Sequence, residues 1–183
     1  MNFLETNQTN LIERERNNYL SIQHPFIPRY IGYLKVKNEN HLLIEYIHGK
    51  SLSKIKELSL SMNDKLCIIF EIMLTIQYLH FNELVYRDLR PNNIIIDDNK
   101  TAVLIDFDRL IKCTQNNPIL ISTRDFSHVY IAPEIVTDKP YSFPADIYSL
   151  GMIICMIITE KDPKIIQYEN NQTSLLDIPM NFK

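Results

Sequence analysis

Glycine is scarce in this sequence. The 183 residues contain three glycines, Gly32, Gly49 and Gly151, and they lie far apart. A phosphate-binding loop of the Gly-x-Gly-x-x-Gly type needs closely spaced glycines, because the backbone must approach the phosphate groups without side chains in the way. These 183 residues therefore contain no such loop.

Cysteine pairs and an excess of positive charge are lacking as well. The three cysteines, Cys67, Cys113 and Cys155, do not have the spacing of a zinc or redox motif. The formal net charge is -3, so the composition provides no basic surface for nucleic acid or for anionic membranes. We expect a protein of a reducing compartment that has no nucleic-acid partner.

Long hydrophobic runs are missing too. Residues 147–159 form the most apolar stretch, but they are too few to cross a bilayer and predict a buried helix. Residues 1–18 have no basic segment followed by an apolar one, so they indicate no secretion or import signal. We therefore expect a cytoplasmic protein without membrane insertion. With 45% hydrophobic residues, the chain can bury one core and is interpreted as a single domain.

A first helix is predicted over about residues 11–23. Asn10 and Glu13 have the spacing of a capping box at its start, and the helix stops before His24 and Pro25. One face of this helix carries an acidic residue among apolar ones, with the members Leu11, Glu15, Tyr19 and Ile22. The Glu15 carboxylate either lies at a solvent-exposed rim or meets a cation or hydrogen-bond donor.

A hairpin and a second helix are predicted next. Residues 30–35 and 41–47 are rich in strand-forming residues and flank a polar turn. The second helix covers about residues 63–80, and Ser61 and Asp64 have capping-box spacing at its start. Its core face is predicted from apolar positions at helical intervals, which are Leu66, Ile69, Phe70, Met73, Ile76 and Leu79.

A second hairpin carries the most informative side chains. Residues 94–96 and 102–105 are β-branched, apolar runs separated by a polar turn. Antiparallel pairing brings Asn93 and Asp106 to the same end of this hairpin, with Asp88 on the loop just before it. Carboxylate and amide oxygens suit Mg²⁺, which keeps waters and substrate phosphates as further ligands. Alone, each of the three has a structural explanation as a turn, cap or strand-end residue.

Four ordered motifs closely resemble those of the eukaryotic protein kinase superfamily. Residues 86–93, Tyr-Arg-Asp-Leu-Arg-Pro-Asn-Asn, resemble its catalytic loop, His-Arg-Asp-Leu-x-x-x-x-Asn. Residues 106–108, Asp-Phe-Asp, stand where the family has Asp-Phe-Gly. Ala-Pro-Glu at 132–134 is similar to the end of its activation segment, and residues 146–151 look like the start of its central helix, helix F.

The resemblance implies a catalytic role for several residues. Asp88 would accept or orient the substrate hydroxyl, and Arg90 would replace the lysine that serine/threonine kinases commonly have. Asn93 and Asp106 would bind the magnesium ion that screens the phosphates. The implied cofactors are ATP and Mg²⁺, and the implied partner is a protein substrate or a regulatory protein.

The resemblance also assigns residues of the large lobe. Arg87 and Asp146 would be structural residues around the catalytic loop. Glu134 would anchor the activation segment. Ser127, seven residues earlier, would replace the usual threonine of the substrate-binding loop. The retained hydroxyl favours serine/threonine over tyrosine specificity.

A nucleotide-binding role is implied for four residues in the first part of the chain. Glu15 stands where the family has the helix-C glutamate that pairs with the phosphate-binding lysine. Ile44 would be the gatekeeper, and Glu45 and Ile47 would offer backbone hydrogen bonds to adenine. The alternative for residues 42–47 is an ordinary buried strand.

The implied fold is α+β and protein kinase-like. It would have a partial small lobe, made of helix C and the hairpin after it, and a mostly helical large lobe that ends after helix F. We expect a single partial domain, with residues 1–47 as the remnant of the small lobe and hinge and residues 48–183 as the large lobe up to about helix F or G. The strands with the glycine-rich loop and its lysine would be missing, through truncation or an incomplete gene model.

Two functions fit these observations. The first is a serine/threonine protein kinase that transfers phosphate from ATP to proteins, weakly or not at all as this chain. Asp108 replaces the glycine of Asp-Phe-Gly, which restricts the backbone and adds negative charge beside the metal site. The second is a pseudokinase or kinase fragment that acts as a protein-binding scaffold.

Overall fold

The computed structural model describes residues 3–37, 39–114, 118–119, 129–137, 139–161, 163–166 and 175–177. The helices are α1 (Phe3–Ser21), α2 (Met62–Phe81), α3 (Pro133–Val136) and α4 (Pro144–Thr159), with short 3-10 helices at Leu52–Glu57 and Pro91–Asn93. The strands are β1 (Tyr30–Val36), β2 (Glu39–Ile44), β3 (Gly49–Ser51), β4 (Leu84–Val85), β5 (Ile94–Asp97), β6 (Ala102–Leu104), β7 (Ile111–Lys112), β8 (Lys164–Ile166) and β9 (Leu175–Asp177).

Within these described residues, the strands form four small antiparallel sheets. Strand β1 pairs with β2, β4 with β7, and β8 with β9, while β3, β5 and β6 form a three-stranded sheet with β5 in the centre. The helices and these small sheets confirm the α+β class.

Helix α1 is longer than the sequence predicts. It begins at Phe3 instead of near Asn10, because residues 3–9 include no proline or glycine and the backbone continues in the helical conformation through Asn10. It ends at Ser21, two residues before the predicted end and, as expected, ahead of His24 and Pro25. Tyr19 and Ile22 are buried, as expected for one apolar face.

Helix α2 begins with the predicted capping box. The Ser61 Oγ accepts a hydrogen bond from the Asp64 amide at 3.1 Å, and the Asp64 Oδ2 accepts one from the Ser61 amide at 2.8 Å. These contacts satisfy backbone donors that a helix start leaves unpaired.

The predicted core face of α2 is wrong at three positions. Leu66, Phe70 and Met73 are 53%, 60% and 44% exposed. The buried positions of the helix are Lys65, Ile68, Ile69, Ile72, Thr75, Ile76 and Leu79. Because apolar residues surround most of this helix, their spacing does not select one face, and packing against α4 and β6 decides instead.

The predicted hairpin at residues 94–105 is confirmed as β5 and β6. The two strands pair from Ile94 with Leu104 to Ile96 with Ala102. Asp97 shapes the turn, since its Oδ1 accepts hydrogen bonds from the amides of Asn99 at 2.9 Å and Thr101 at 2.8 Å. This turn is an Asx-type structure that polar residues favour.

The hairpin is joined to the first part of the chain by backbone contacts. Strand β3 pairs with the free edge of β5, and the Leu104 amide donates to the Phe26 carbonyl at 2.9 Å. Buried side chains of α1, α2, α4 and the β5–β6 hairpin share one hydrophobic cluster, so these elements form a common core. In the part of the chain that is described, no helix is both long and apolar enough to cross a membrane.

Candidate active site

Helix α4 holds the loop at residues 86–90 through a single buried carboxylate. Asp146 is fully buried, and its Oδ1 accepts from the Arg87 amide at 2.8 Å. Its Oδ2 accepts from the Tyr86 amide at 2.8 Å and contacts the His80 Nε2 at 2.8 Å. Arg87 has a φ of 72°, a left-handed conformation that is uncommon for arginine, so these bonds stabilise an unusual backbone.

The Arg87 side chain connects this loop to the segment after β6. It is 8% exposed, and its Nε donates to the Arg109 carbonyl at 2.6 Å. Its Nη1 donates to the Tyr141 hydroxyl at 3.0 Å. Arg87 therefore lies away from solvent and orders two neighbouring segments.

Asp88 and Asn93 are in direct contact. Asp88 is 2% exposed, and the Asn93 Nδ2 lies 3.0 Å from both the Asp88 backbone carbonyl and the Asp88 Oδ2. The other carboxylate oxygen, Oδ1, lies 3.5 Å from the Arg90 Nε and 3.8 Å from the Arg109 Nη1. The Asp88 carboxylate is thus oriented by one amide and two guanidinium groups.

Asp106 comes directly after Ile105, the last residue that pairs with the opposite strand of the hairpin. The Ile105 amide donates to the Asn93 carbonyl at 2.9 Å, which puts Asn93 opposite Ile105. Asp106 itself has a φ of 65°, which turns the chain sharply at this point. Asp88, Asn93 and Asp106 therefore lie at the same end of the hairpin.

Asp106 lies in a crowded acidic environment. Burial and the negative charges of Asp108 and Asp88 raise its pKa to about 6. A divalent cation would relieve this repulsion. The Asn93 amide nitrogen faces Asp88, so its oxygen is the atom that suits a cation.

Glu15 on α1 belongs to the same acidic environment. Burial, followed by the charges of Asp106 and Asp108, raises its pKa to about 7. No lysine, arginine or histidine among the described residues forms an ion pair with Glu15. The site is therefore rich in carboxylates.

Contacts that the sequence did not predict attach α1 to the segment at residues 106–110. The Arg14 side chain donates to the Asp108 carbonyl, and the Asn18 Nδ2 donates to the Phe107 carbonyl at 2.7 Å. Phe107 is fully buried between two rings, with centroids 5.2 Å from Tyr19 and 5.4 Å from Tyr86. The only sequence signal is the i, i+4 spacing of Arg14 and Asn18.

The three residues assigned to adenine binding lie at the end of β2 and just after it. Ile44 is partly buried against the core. The Glu45 amide donates to the Arg29 carbonyl at 2.9 Å, and its carboxylate forms an ion pair with the Arg29 Nε at 3.1 Å. Ile47 lines a cavity of about 210 Å³ that includes neither Ile44 nor Asp106 and is completed by Tyr46, His48, Asp97, Asp98 and Asn99.

The structure describes one of the two residues assigned to the activation segment. Glu134 lies in the first turn of α3, and it forms no ion pair within the described ranges. Ser127 lies outside the described residues.

A metal ion here would depend on few protein ligands. Among the described residues, no group of three or more His, Cys, Asp or Glu side chains could hold a metal. Asn93 and Asp106 provide two oxygen-bearing side chains, which suits Mg²⁺ because this ion usually keeps waters and substrate phosphates. The residues present fit a magnesium site that is completed by a phosphate ligand.

The protein kinase domain family matches residues 3–181, so the chain belongs to the protein kinase family. Members of this family are transferases, and the kinase-like fold expected from the sequence is confirmed. Protein kinases in general use ATP and Mg²⁺ and act on proteins.

Similar proteins are named as kinases of several kinds. The chain is 31% identical, over its whole length, to 35% of the mouse dual specificity testis-specific protein kinase 2. It is 33% identical over 96% of its length to 20% of a cGMP-dependent protein kinase of Plasmodium berghei. It is 30% identical over 92% of its length to 43% of the yeast cAMP-dependent protein kinase type 3. The chain therefore spans less than half the length of these relatives.

Proposed function

We propose that this chain is part of a protein kinase in which Asp88 orients the hydroxyl of a protein substrate for attack on the terminal phosphate of ATP. The observation that carries this proposal is the contact between Asp88 and Asn93 at the end of the hairpin where Asp106 lies. A buried carboxylate with a fixed hydrogen bond is suited to positioning, which supplies much of the catalysis in phosphoryl transfer.

The neighbouring residues have complementary roles. Arg90 lies 3.5 Å from Asp88 and supplies positive charge on the side where the hydroxyl would enter. Asp146 accepts a hydrogen bond from the amide of Arg87, whose own backbone is left-handed, so we assign structural roles to both residues. The expected acceptors are serine and threonine hydroxyls, and Ser127 would contribute to their selection.

Asn93 and Asp106 would hold Mg²⁺, which supplies charge neutralisation for the phosphates of bound ATP. On α1, Glu15 would take the place of the helix-C glutamate, which in the family pairs with the phosphate-binding lysine. Ile44, Glu45 and Ile47 would contact adenine along the segment that joins residues 1–47 to residues 48–183. We propose that these two ranges are the partial small and large lobes of one domain.

We propose that the 183-residue chain has weak or no transferase activity by itself. Glu15 forms no ion pair among the described residues, whereas a kinase of this type uses a lysine there to hold phosphates. Asp108 further increases the negative charge near Asp106. A protein substrate or regulatory protein in the cytoplasm is the expected partner.

Thermal unfolding with and without MgATP tests the nucleotide-binding part of this proposal. Selective binding to the folded state raises the unfolding temperature, and Asp106→Asn should reduce that rise because it removes a magnesium ligand. Glu39→Gln, an exposed change at the start of β2, is the control and should behave like the unchanged chain. Absence of any shift at millimolar MgATP would contradict nucleotide binding.

Phosphate incorporation into a generic protein substrate tests the catalytic part. We expect low incorporation that Asp88→Asn abolishes, with phosphoserine and phosphothreonine as products. Turnover typical of protein kinases would contradict the proposed weakness of this chain. Residual activity that Asp88→Asn leaves unchanged would contradict the role of Asp88.

A scaffold function is the second candidate. The crowding of Glu15, Asp106 and Asp108 favours it, because uncompensated carboxylates oppose the binding of phosphate groups. A folded chain whose unfolding temperature does not respond to MgATP would support this function over the first.

A further inference from the structure

Besides Arg90, a second arginine lies beside Asp88. This residue, Arg109, belongs to none of the four sequence motifs. Arg109 follows Asp108, and its Nη1 is 3.8 Å from the Asp88 Oδ1, close to the 3.5 Å separation of the Arg90 Nε from the same oxygen. Two guanidinium groups therefore approach one carboxylate oxygen from two different segments of the chain.

Both the backbone and the side chain of Arg109 have partners. Its backbone carbonyl accepts a hydrogen bond from the buried Arg87 side chain at 2.6 Å. Its Nε lies 3.8 Å from the Asp108 Oδ1, so the guanidinium lies between the carboxylates of Asp88 and Asp108. Its side chain remains 30% exposed, so a ligand that enters beside Asp88 can reach it.

The charges around this position favour an anionic ligand on one side of the site. Glu15, Asp106 and Asp108 crowd one region, where burial and the charge of Asp108 raise the pKa values of Glu15 and Asp106. Arg90 and Arg109 provide positive charge next to Asp88. Guanidinium groups bind phosphate well because their parallel N–H groups match two phosphate oxygens.

We propose that Arg109, together with Arg90, binds the terminal phosphate of a nucleoside triphosphate. This inference rests on the proposed function, because Asp88 orients the hydroxyl that attacks the terminal phosphate and so defines where that phosphate lies. Arg109 thereby supplies phosphate-binding charge in a chain whose Glu15 forms no ion pair among the described residues. Its role is to distinguish a triphosphate from a diphosphate.

Nucleotide titrations of variants test this role. Arg109→Gln should weaken MgATP binding about tenfold, as expected for the loss of a charge-assisted hydrogen bond. It should change MgADP binding about twofold or less, because ADP lacks the phosphate that Arg109 contacts. Arg109→Lys keeps the charge without the two parallel donors and should give an intermediate loss for MgATP.

Lys112→Gln is the matched control. Lys112 lies three residues further along, is 72% exposed and pairs with Glu83, so its neutralisation removes the same charge away from Asp88. It should leave the affinities for both nucleotides unchanged. Equal losses of MgATP and MgADP binding in Arg109→Gln, or no loss at all, would overturn the role of Arg109 and leave the proposed function intact.

Chemical modification of the unchanged chain provides a test that does not depend on a variant's folding. Phenylglyoxal reacts with accessible arginines, and mass spectrometry locates the modified residue. MgATP should protect Arg109 more strongly than MgADP does, whereas Arg29, which is 77% exposed, should react equally in both. Equal reactivity of Arg109 with the two nucleotides would overturn the inference, and binding of neither nucleotide would overturn it together with the proposed function.

Discussion

Gly49 and Gly151 have opposite surroundings. A Cβ added to Gly49 would lie 2.2 Å from the Ile96 carbonyl oxygen and 2.8 Å from the Asp97 Cα, both of which belong to the backbone of β5. A Cβ added to Gly151 on α4 would meet no atom within 4 Å. Of these two positions, only position 49 requires glycine, because there the backbones of β3 and β5 approach closely.

We predict that alanine at these two positions changes stability in opposite directions. Gly49→Ala should lower the free energy of unfolding by about 1–3 kcal/mol, because β3 must move away from β5. Gly151→Ala should raise it by about 0.5–1 kcal/mol, because alanine favours an exposed helix position over glycine. Urea denaturation measures both changes, and a Gly49→Ala chain that is as stable as the unchanged chain, or more stable, would contradict the packing described for β3.

Glu15 makes stability depend on pH. Its pKa rises from 4.5 to about 7 in the folded chain, first through burial and then through Asp106 and Asp108. The folded state therefore binds a proton more tightly than the unfolded state. The resulting stabilisation of the folded state is fully present below about pH 4.5 and is lost as the pH rises through about 7.

We predict that Glu15→Gln becomes more stable relative to the unchanged chain as the pH rises across this window. Glu15 interacts with Asp106, so the comparison measures the contribution of the Glu15 charge together with its effect on Asp106. The measurement is the free energy of unfolding in urea at several pH values, with a chelator present to exclude metal ions. Glu13→Gln, an exposed change on the same helix, is the control, and a pH-independent difference for Glu15→Gln would contradict the prediction.

At the scale of elements, α2 shows which of its faces stabilises the chain. Ile68 is fully buried, whereas Phe70, two residues later, is 60% exposed. We predict that Ile68→Ala lowers the free energy of unfolding by about 2–5 kcal/mol, because it leaves a cavity in the core. Phe70→Ala, a larger truncation, should cost about 0.5 kcal/mol or less. Thermal or urea unfolding measures both losses. A greater loss for Phe70→Ala than for Ile68→Ala would contradict the buried face described here and favour the one that the sequence predicted.

The β5–β6 hairpin was predictable because its turn and its strands use different residue types. Asp97, Asn99 and Thr101 form the polar turn, and apolar residues form the paired parts of the strands on both sides. The start of α1 and the buried face of α2 were not predictable in this way. Both are uniform stretches, in which no proline, glycine or alternation of polar residues marks a boundary or a face.

The site was predictable only where short motifs carry it. Asp88, Asn93 and Asp106 follow from local sequence and one hairpin. Arg14 and Asn18 bind backbone carbonyls of a segment about ninety residues away, and carbonyls have no sequence signature. Arg109 reaches Asp88 because of the turn at Asp106, so its role depends on a backbone conformation that residue types do not reveal.

At the scale of the whole molecule, α1 and the hairpin region are connected through aromatic packing. Tyr19 from α1 meets Phe107 in an edge-to-face arrangement, with an interplanar angle of 73°, and both residues are buried. Both also belong to the main hydrophobic cluster, whereas Ile135 on α3 belongs to a second one. The position of Glu15 relative to Asp106 therefore depends on this aromatic contact as well as on the polar contacts of Arg14 and Asn18.

We predict that Tyr19 and Phe107 are energetically coupled. In a double-mutant cycle with Tyr19→Leu and Phe107→Leu, the free energies of unfolding should show a coupling of about 0.5–1.5 kcal/mol, as measured for edge-to-face pairs. Phe107→Leu combined with Ile135→Val should be additive within about 0.5 kcal/mol, because the two residues lie in separate clusters. Additivity of Tyr19 and Phe107 would mean that α1 is held in place by its polar contacts alone, and truncating Asn18 should then account for its docking.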